Sequence, residues 1–203
     1  MRPIHRYGRE IDSVFDLLGR DENSLTFALG WCLARVPALL DEVAAVLERP
    51  APGTEAIVYL QDHKGEDGIT HIEVRDTGRV TWIFEAKVGF DPPTLAQLTK
   101  YARTLRAEPG ETVDRLLVVL ARSDRRDLYL QQLVPKAVDG VPVQVLSWGA
   151  VASCVEQAYG ATDNAGKSLL RQFRSFLAMA TRKRAINSNL AYHYLGTLGW
   201  LGG

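Results

Sequence analysis

Apolar and polar positions along the chain follow two different periods. From Glu22 the apolar residues Leu25, Leu29, Cys32, Leu33 and Val36 recur at helical spacing. Asp21 or Asn23 can cap that helix. Pro37 cannot sit quietly in a helix interior but suits the first turn of a new one, so 22–48 reads as two helices or one kinked helix. Pro50, Pro52 and Gly53 end it. Ahead of it, residues 1–12 read as a charged, loosely packed lead-in, and Val14, Phe15, Leu17 and Leu18 as a short helix stopping at Gly19. Glu55–Gln61 is strand-like. Gly68–Val74 and Val80–Gly89 then alternate with period two around Asp76-Thr77-Gly78, the pattern of a hairpin. Asp91-Pro92-Pro93-Thr94 starts a helix whose buried stripe is Leu95, Leu98, Ala102 and Leu105.

The second half continues in the same way. Leu116–Ala121 is an unbroken apolar run suited to a strand covered on both faces. A helix over Arg125–Leu133 follows, then a strand over Val141–Leu146, where Pro142 marks an edge or a strand start. Helices over Trp148–Tyr159 and from the loop Thr162–Gly166 to about Arg184 complete the pattern. Three consecutive strands make a meander, and a crossover helix sets a later strand parallel to one of them. The expected class is α/β: a mixed β-sheet flanked by helices on both faces. Residues 1–186 read as a single domain. Residues 187–203 form an apolar, Gly-rich tail with Tyr192, Tyr194, Leu195, Leu198, Trp200 and Leu201, which either packs back on the domain or meets a second subunit as a homodimer.

Within the hairpin, Trp82, Phe84, Ala86 and Val88 share one face, and Thr81, Ile83, Glu85 and Lys87 share the other. Glu85 and Lys87 therefore stand side by side on an otherwise apolar strand, which is costly unless they pair or hold a ligand. A three-residue loop at 76–78 with Gly78 left-handed sets Glu73 opposite Thr81 and His71 opposite Ile83. His71 and Glu85 become diagonal neighbours, roughly 7–8 Å apart at the backbone.

Charge and composition narrow the picture. The 24 basic and 24 acidic residues cancel, so a nucleic-acid face would have to be local. The N-terminus lacks an apolar leader, and the longest apolar run is far too short to cross a bilayer, so a cytoplasmic protein with no membrane partner is expected. Cys32 and Cys154 lie in apolar helical patterns and read as reduced core thiols.

Glu85-Ala86-Lys87 at a strand end resembles the (D/E)-x-K half of the PD-(D/E)XK nuclease superfamily, and the order helix, three strands, helix, strand resembles its restriction-endonuclease-like αβββαβ core. Glu22 resembles the helix-borne acid ahead of that core, and Gln97-x-x-x-Tyr101 is similar to the extra motif of RecB-like members. The resemblance covers roughly residues 14–146. It implies a phosphodiesterase acting on DNA with Mg²⁺ or Mn²⁺. Glu22, Glu85 and the Ala86 carbonyl would be ligands, Lys87 would be catalytic, and Gln97 and Tyr101 would brace Lys87 or touch phosphate. His71 stands where the family carries a metal-binding Asp, and Glu73, two residues on, shares its face and would reach in as a substitute metal ligand. Imidazole suits Mn²⁺ or Zn²⁺ better than Mg²⁺, so His71 either shifts the metal preference or marks a weakened site. A second class stays open: a catalytically degenerate member that binds nucleic acid or a protein partner. Lys100 and Arg103, and the basic run Arg171, Arg174, Arg182, Lys183 and Arg184, are the candidate phosphate contacts.

Overall fold

A computed structural model describes residues 4–7, 9–11, 13–19, 21–63, 69–87, 92–107, 110, 113–121 and 131–181. Proline chemistry sets its first helices. α1 (Glu22–Arg35) starts at Asp21, whose carboxylate accepts the Ser24 N–H at 2.7 Å, and α2 (Pro37–Val46) begins with Pro37 in its first turn, where the missing N–H costs nothing. Three antiparallel strands follow, β3 (Ile57–His63), β4 (Ile69–Asp76) and β5 (Val80–Ala86). Helix α3 (Leu95–Ala107) crosses to β6 (Asp114–Ala121), which lies parallel to β5. β8 (Val141–Ser147) is parallel to β6, and the chain closes with α4 (Trp148–Gly160) and α5 (Asn164–Thr181).

The result is an α/β fold with a six-stranded mixed sheet, in the order β3-β4-β5-β6-β8-β7, where β7 is the short strand Ala137–Val138. Even-numbered strand residues (Ile72, Trp82, Phe84, Leu116, Val118) pack under α1, α2, α4 and α5. Odd-numbered ones (Ile83, Leu117, Val119, Val143) pack against Leu98, Ala102 and Leu105 of α3. The face assignment read from the alternation of β5 holds, and every residue of that strand is buried. Gly30 lets α1 lie close on the edge strand, since a Cβ there would collide with the Leu60 side chain.

Three differences from the sequence reading stand out. Residues within the loosely packed lead-in 1–12 form a small hairpin that the sequence pattern does not signal, β1 (Ile4–Arg6) with β2 (Arg9–Ile11). A two-residue strand, β7 (Ala137–Val138), pairs antiparallel with the start of β8, so Pro142 sits just before the parallel ladder with β6 begins at Val143. The hairpin loop is shifted: Asp76 pairs with Val80, leaving Thr77, Gly78 and Arg79 as the three loop residues. Asp76 is drawn into the ladder because its carboxylate accepts the Gly53 N–H at 2.7 Å. The turn closes by Arg79 N–H on the Asp76 carbonyl at 2.9 Å, with Gly78 third in it at φ 77°, a position that needs a left-handed residue. Of the helix expected over Arg125–Leu133, residues 131–133 are helical and the others lie outside the described residues. The same holds for the tail 187–203 and for Arg182, Lys183 and Arg184.

Candidate active site

The shifted loop moves the pairing by two residues, which keeps every face but changes the partners. Ile72 now lies opposite Phe84, and one step further sets His71 directly opposite Glu85 rather than diagonal to it. The ladder of β4 with β5 stops at Ile72–Phe84, whereas β4 stays paired with β3 out to Ile69. β4 and β5 therefore part at the very end where Glu85 stands. Continued one pair further, the ladder would give the Ala86 N–H to the carbonyl of Thr70. Instead that N–H donates to His71 Nδ1 at 3.0 Å.

Glu85 is almost wholly buried, and both of its oxygens are engaged. Lys87 Nζ lies 2.9 Å from Oε1, and the Tyr101 hydroxyl donates to Oε2 at 3.0 Å. Burial first, then the Glu85 charge and this hydrogen bond, push the Tyr101 phenol well up, so it stays protonated and serves as a donor. Lys87 Nζ also lies 4.0 Å from Glu22 Oε2. The N-terminus of α1, the end of β5 and the middle of α3 thus bring Glu22, Glu85, Lys87 and Tyr101 together. Two carboxylates share one ammonium there.

His71 Nδ1 lies 3.5 Å from Glu85 Oε2, but an imidazole accepting an N–H at Nδ1 has no proton on that atom. That approach is a contact between two acceptors and not an ion pair. Glu73 is fully buried and pairs with Arg75, whose guanidinium stacks 5.3 Å over the Tyr59 ring. Gln97 is engaged in its own helix start. It is the reciprocal partner of Thr94 in a capping box: Gln97 N–H donates to Thr94 Oγ at 3.2 Å, and Thr94 N–H donates to Gln97 Oε1 at 3.2 Å. The Gln-x-x-x-Tyr pair therefore divides, with Gln97 building the helix that presents Tyr101 to Glu85. Arg171 donates to the Tyr159 hydroxyl at 2.9 Å, and Arg174 pairs with Glu156 at 2.9 Å, so both are tied to α4.

One residue near the site was not singled out by its sequence pattern. Gln61, on the edge strand where the β3 register faces His71, is left-handed at φ 52°, and its amide donates to Asn23 Oδ1 at 2.9 Å. It ties β3 to the first turn of α1, next to Glu22. No periodicity signals a left-handed glutamine inside a strand.

Among the described residues no three His, Cys, Asp or Glu side chains gather as a metal-holding cluster. The oxygen donors present are the Glu22 and Glu85 carboxylates, with the Ala86 carbonyl on the same side of the strand as its N–H. Two carboxylates are what a Mg²⁺ ion that keeps most of its water asks for, so the oxygen set fits a hard cation. The His71 imidazole, in the form seen, does not belong to that set. Among the described residues no helix is long and apolar enough to cross a membrane. No family model, curated protein or solved structure matches the chain.

Proposed function

We propose that this protein is a metal-dependent phosphodiesterase of the PD-(D/E)XK type acting on DNA. One observation carries the reading: Glu22 from α1, Glu85 and Lys87 from the end of β5, and Tyr101 from α3, which match the motif positions of that superfamily, meet at the end of one strand. A phosphodiester must be cleaved against its own negative charge, and a bound Mg²⁺ or Mn²⁺ supplies charge neutralisation and a more acidic water. Glu22 and Glu85 would hold that ion, together with the Ala86 carbonyl. Tyr101 fixes the rotamer of Glu85 from below, and Lys87 offers the only ammonium in this group of residues for the charge that develops on the phosphate. The two cysteines, Cys32 and Cys154, are buried free thiols, with Cys154 pushed up to about 11 mainly by burial. They fit a reducing, cytoplasmic compartment.

A second reading, a nuclease-fold protein that binds nucleic acid without cutting it, draws on the engaged imidazole of His71 in place of an acidic ligand. Plasmid nicking with Mg²⁺ and with Mn²⁺, run beside a gel-shift assay, tests both. Metal-dependent nicking lost in Glu85→Gln supports the hydrolase. A shift with no nicking under either ion supports the binder, and neither nicking nor a shift overturns both.

A further inference from the structure

We infer that His71 is a positioning residue, which closes the gap where β4 and β5 part and gives no nitrogen to an ion held by Glu22 and Glu85. This role depends on the proposed hydrolase only for where the ion would sit. A neutral imidazole has one lone pair in its plane and one N–H. Here the lone pair is on Nδ1 and accepts the Ala86 N–H at 3.0 Å, so Nε2 carries the proton. Neither nitrogen offers a lone pair to a cation.

To become a ligand, the ring would have to release the Ala86 N–H. That strands a part-buried peptide donor at a place where the backbone acceptor of Thr70 has already moved away. Losing such a bond costs roughly ten- to a hundredfold in an equilibrium constant. The ring is better used where it stands. It replaces a ladder bond, holds the Ala86 peptide, and so fixes the residue that follows Glu85 and precedes Lys87. Gln61, at the position facing His71 on β3, is left-handed and turned to Asn23, while β3 stays paired with β4 on either side of it at Leu60 and Asp62. An Asp at position 71 would be a different solution, a ligand; the His is a pin.

The test reads the ring directly. In long-range ¹⁵N–¹H spectra of the intact protein, His71 Nδ1 is expected unprotonated and Nε2 protonated, with neither moving when Mg²⁺ or Zn²⁺ is added. A proton on Nδ1, or loss of the Nε2 proton on adding Zn²⁺, overturns the role. Hydrogen exchange at the Ala86 amide is expected to quicken at least about tenfold in His71→Ala and to recover in His71→Asn, whose side-chain oxygen can take the same N–H. Equal protection in all three forms would also overturn it. By calorimetry, Mg²⁺ affinity should be the same in His71→Asn as in the unsubstituted protein and higher in His71→Asp. A loss in His71→Asn equal to that of a removed ligand counts against the pin. Turnover enters none of these readouts, so a protein that never cuts DNA still decides them.

Discussion

The two ends of β5 handle buried carboxylates in opposite ways. At its start, Val80 is flanked by Asp76 on β4 and Asp114 on β6. Asp76 faces Arg79 and the Gly53 N–H, and Asp114 takes Arg49 at 3.1 Å and the Trp82 indole N–H at 2.9 Å. Each acid there has its own guanidinium, and charge cancels pair by pair. At the far end, Glu85 and Glu22 share Lys87. Among these three side chains two carboxylates meet a single ammonium. A closed pair serves the fold, whereas a shared ammonium suits the positively charged ligand proposed above. The number of carboxylates per cation separates the two ends; how deeply the acids are buried does not.

The largest expected effects test that division. Glu85→Gln and Lys87→Ala should each lower metal-dependent plasmid cleavage at least about a hundredfold while far-UV circular dichroism stays unchanged. Asp114→Asn should cut at close to the unsubstituted rate. Comparable cleavage losses at both ends would erase the distinction.

Asp114→Ala works the other way. It leaves the Arg49 guanidinium and the Trp82 indole without their shared acceptor, at a cost of roughly 2–3 kcal/mol in urea unfolding followed by tryptophan fluorescence. Stability unchanged within about 0.5 kcal/mol would mean that the first end is no structural lock.

A smaller effect belongs to Tyr101→Phe. Removing one donor to a charged carboxylate should slow cleavage about tenfold and leave the helix in place. An unaltered rate would show that Lys87 alone orients Glu85.

The smallest effect is at the cap of α1. Ser24, through its hydroxyl and its N–H, holds the Asp21 carboxyl below its ordinary value of 3.8. A depressed carboxylate stabilises the folded state above its unfolded pKa, and that contribution is lost as pH falls through the folded value. Asp21→Ala should therefore cost about 1 kcal/mol at neutral pH, with the gap closing below about pH 4. A gap that is flat from pH 7 to pH 3 would assign the loss to something other than the charged cap.

Much of the frame was legible because periodicity reports burial. The even and odd faces of β5 and the break at Pro37 follow from residue type and spacing alone. The approach of Glu22 to Lys87 rested on the family resemblance and on α1 lying across the end of the sheet, which Gly30 allows. What escaped has physical reasons. The loop frame turned on Asp76, whose pull into the ladder comes from Gly53, a partner 23 residues away that no local pattern reveals. Gln97 was read as a site residue, but four positions from Tyr101 it is also third after Thr94, and the helix start claims it. His71 was weighed as a ligand by its position. Only the parting of two strands, invisible in one dimension, shows which nitrogen is occupied.

The left-handed backbone of Gln61 bears on more than the site. β3 is the outer strand of the sheet on that side, and its free edge could otherwise template another chain. A glutamine at φ 52° interrupts the straight run of N–H and C=O groups in the strand's second half, so an incoming strand finds only a few residues in register before the edge turns away. On the β3 side, protection against edge-to-edge pairing thus lies in backbone geometry rather than in lysines, of which Ile57–His63 has none.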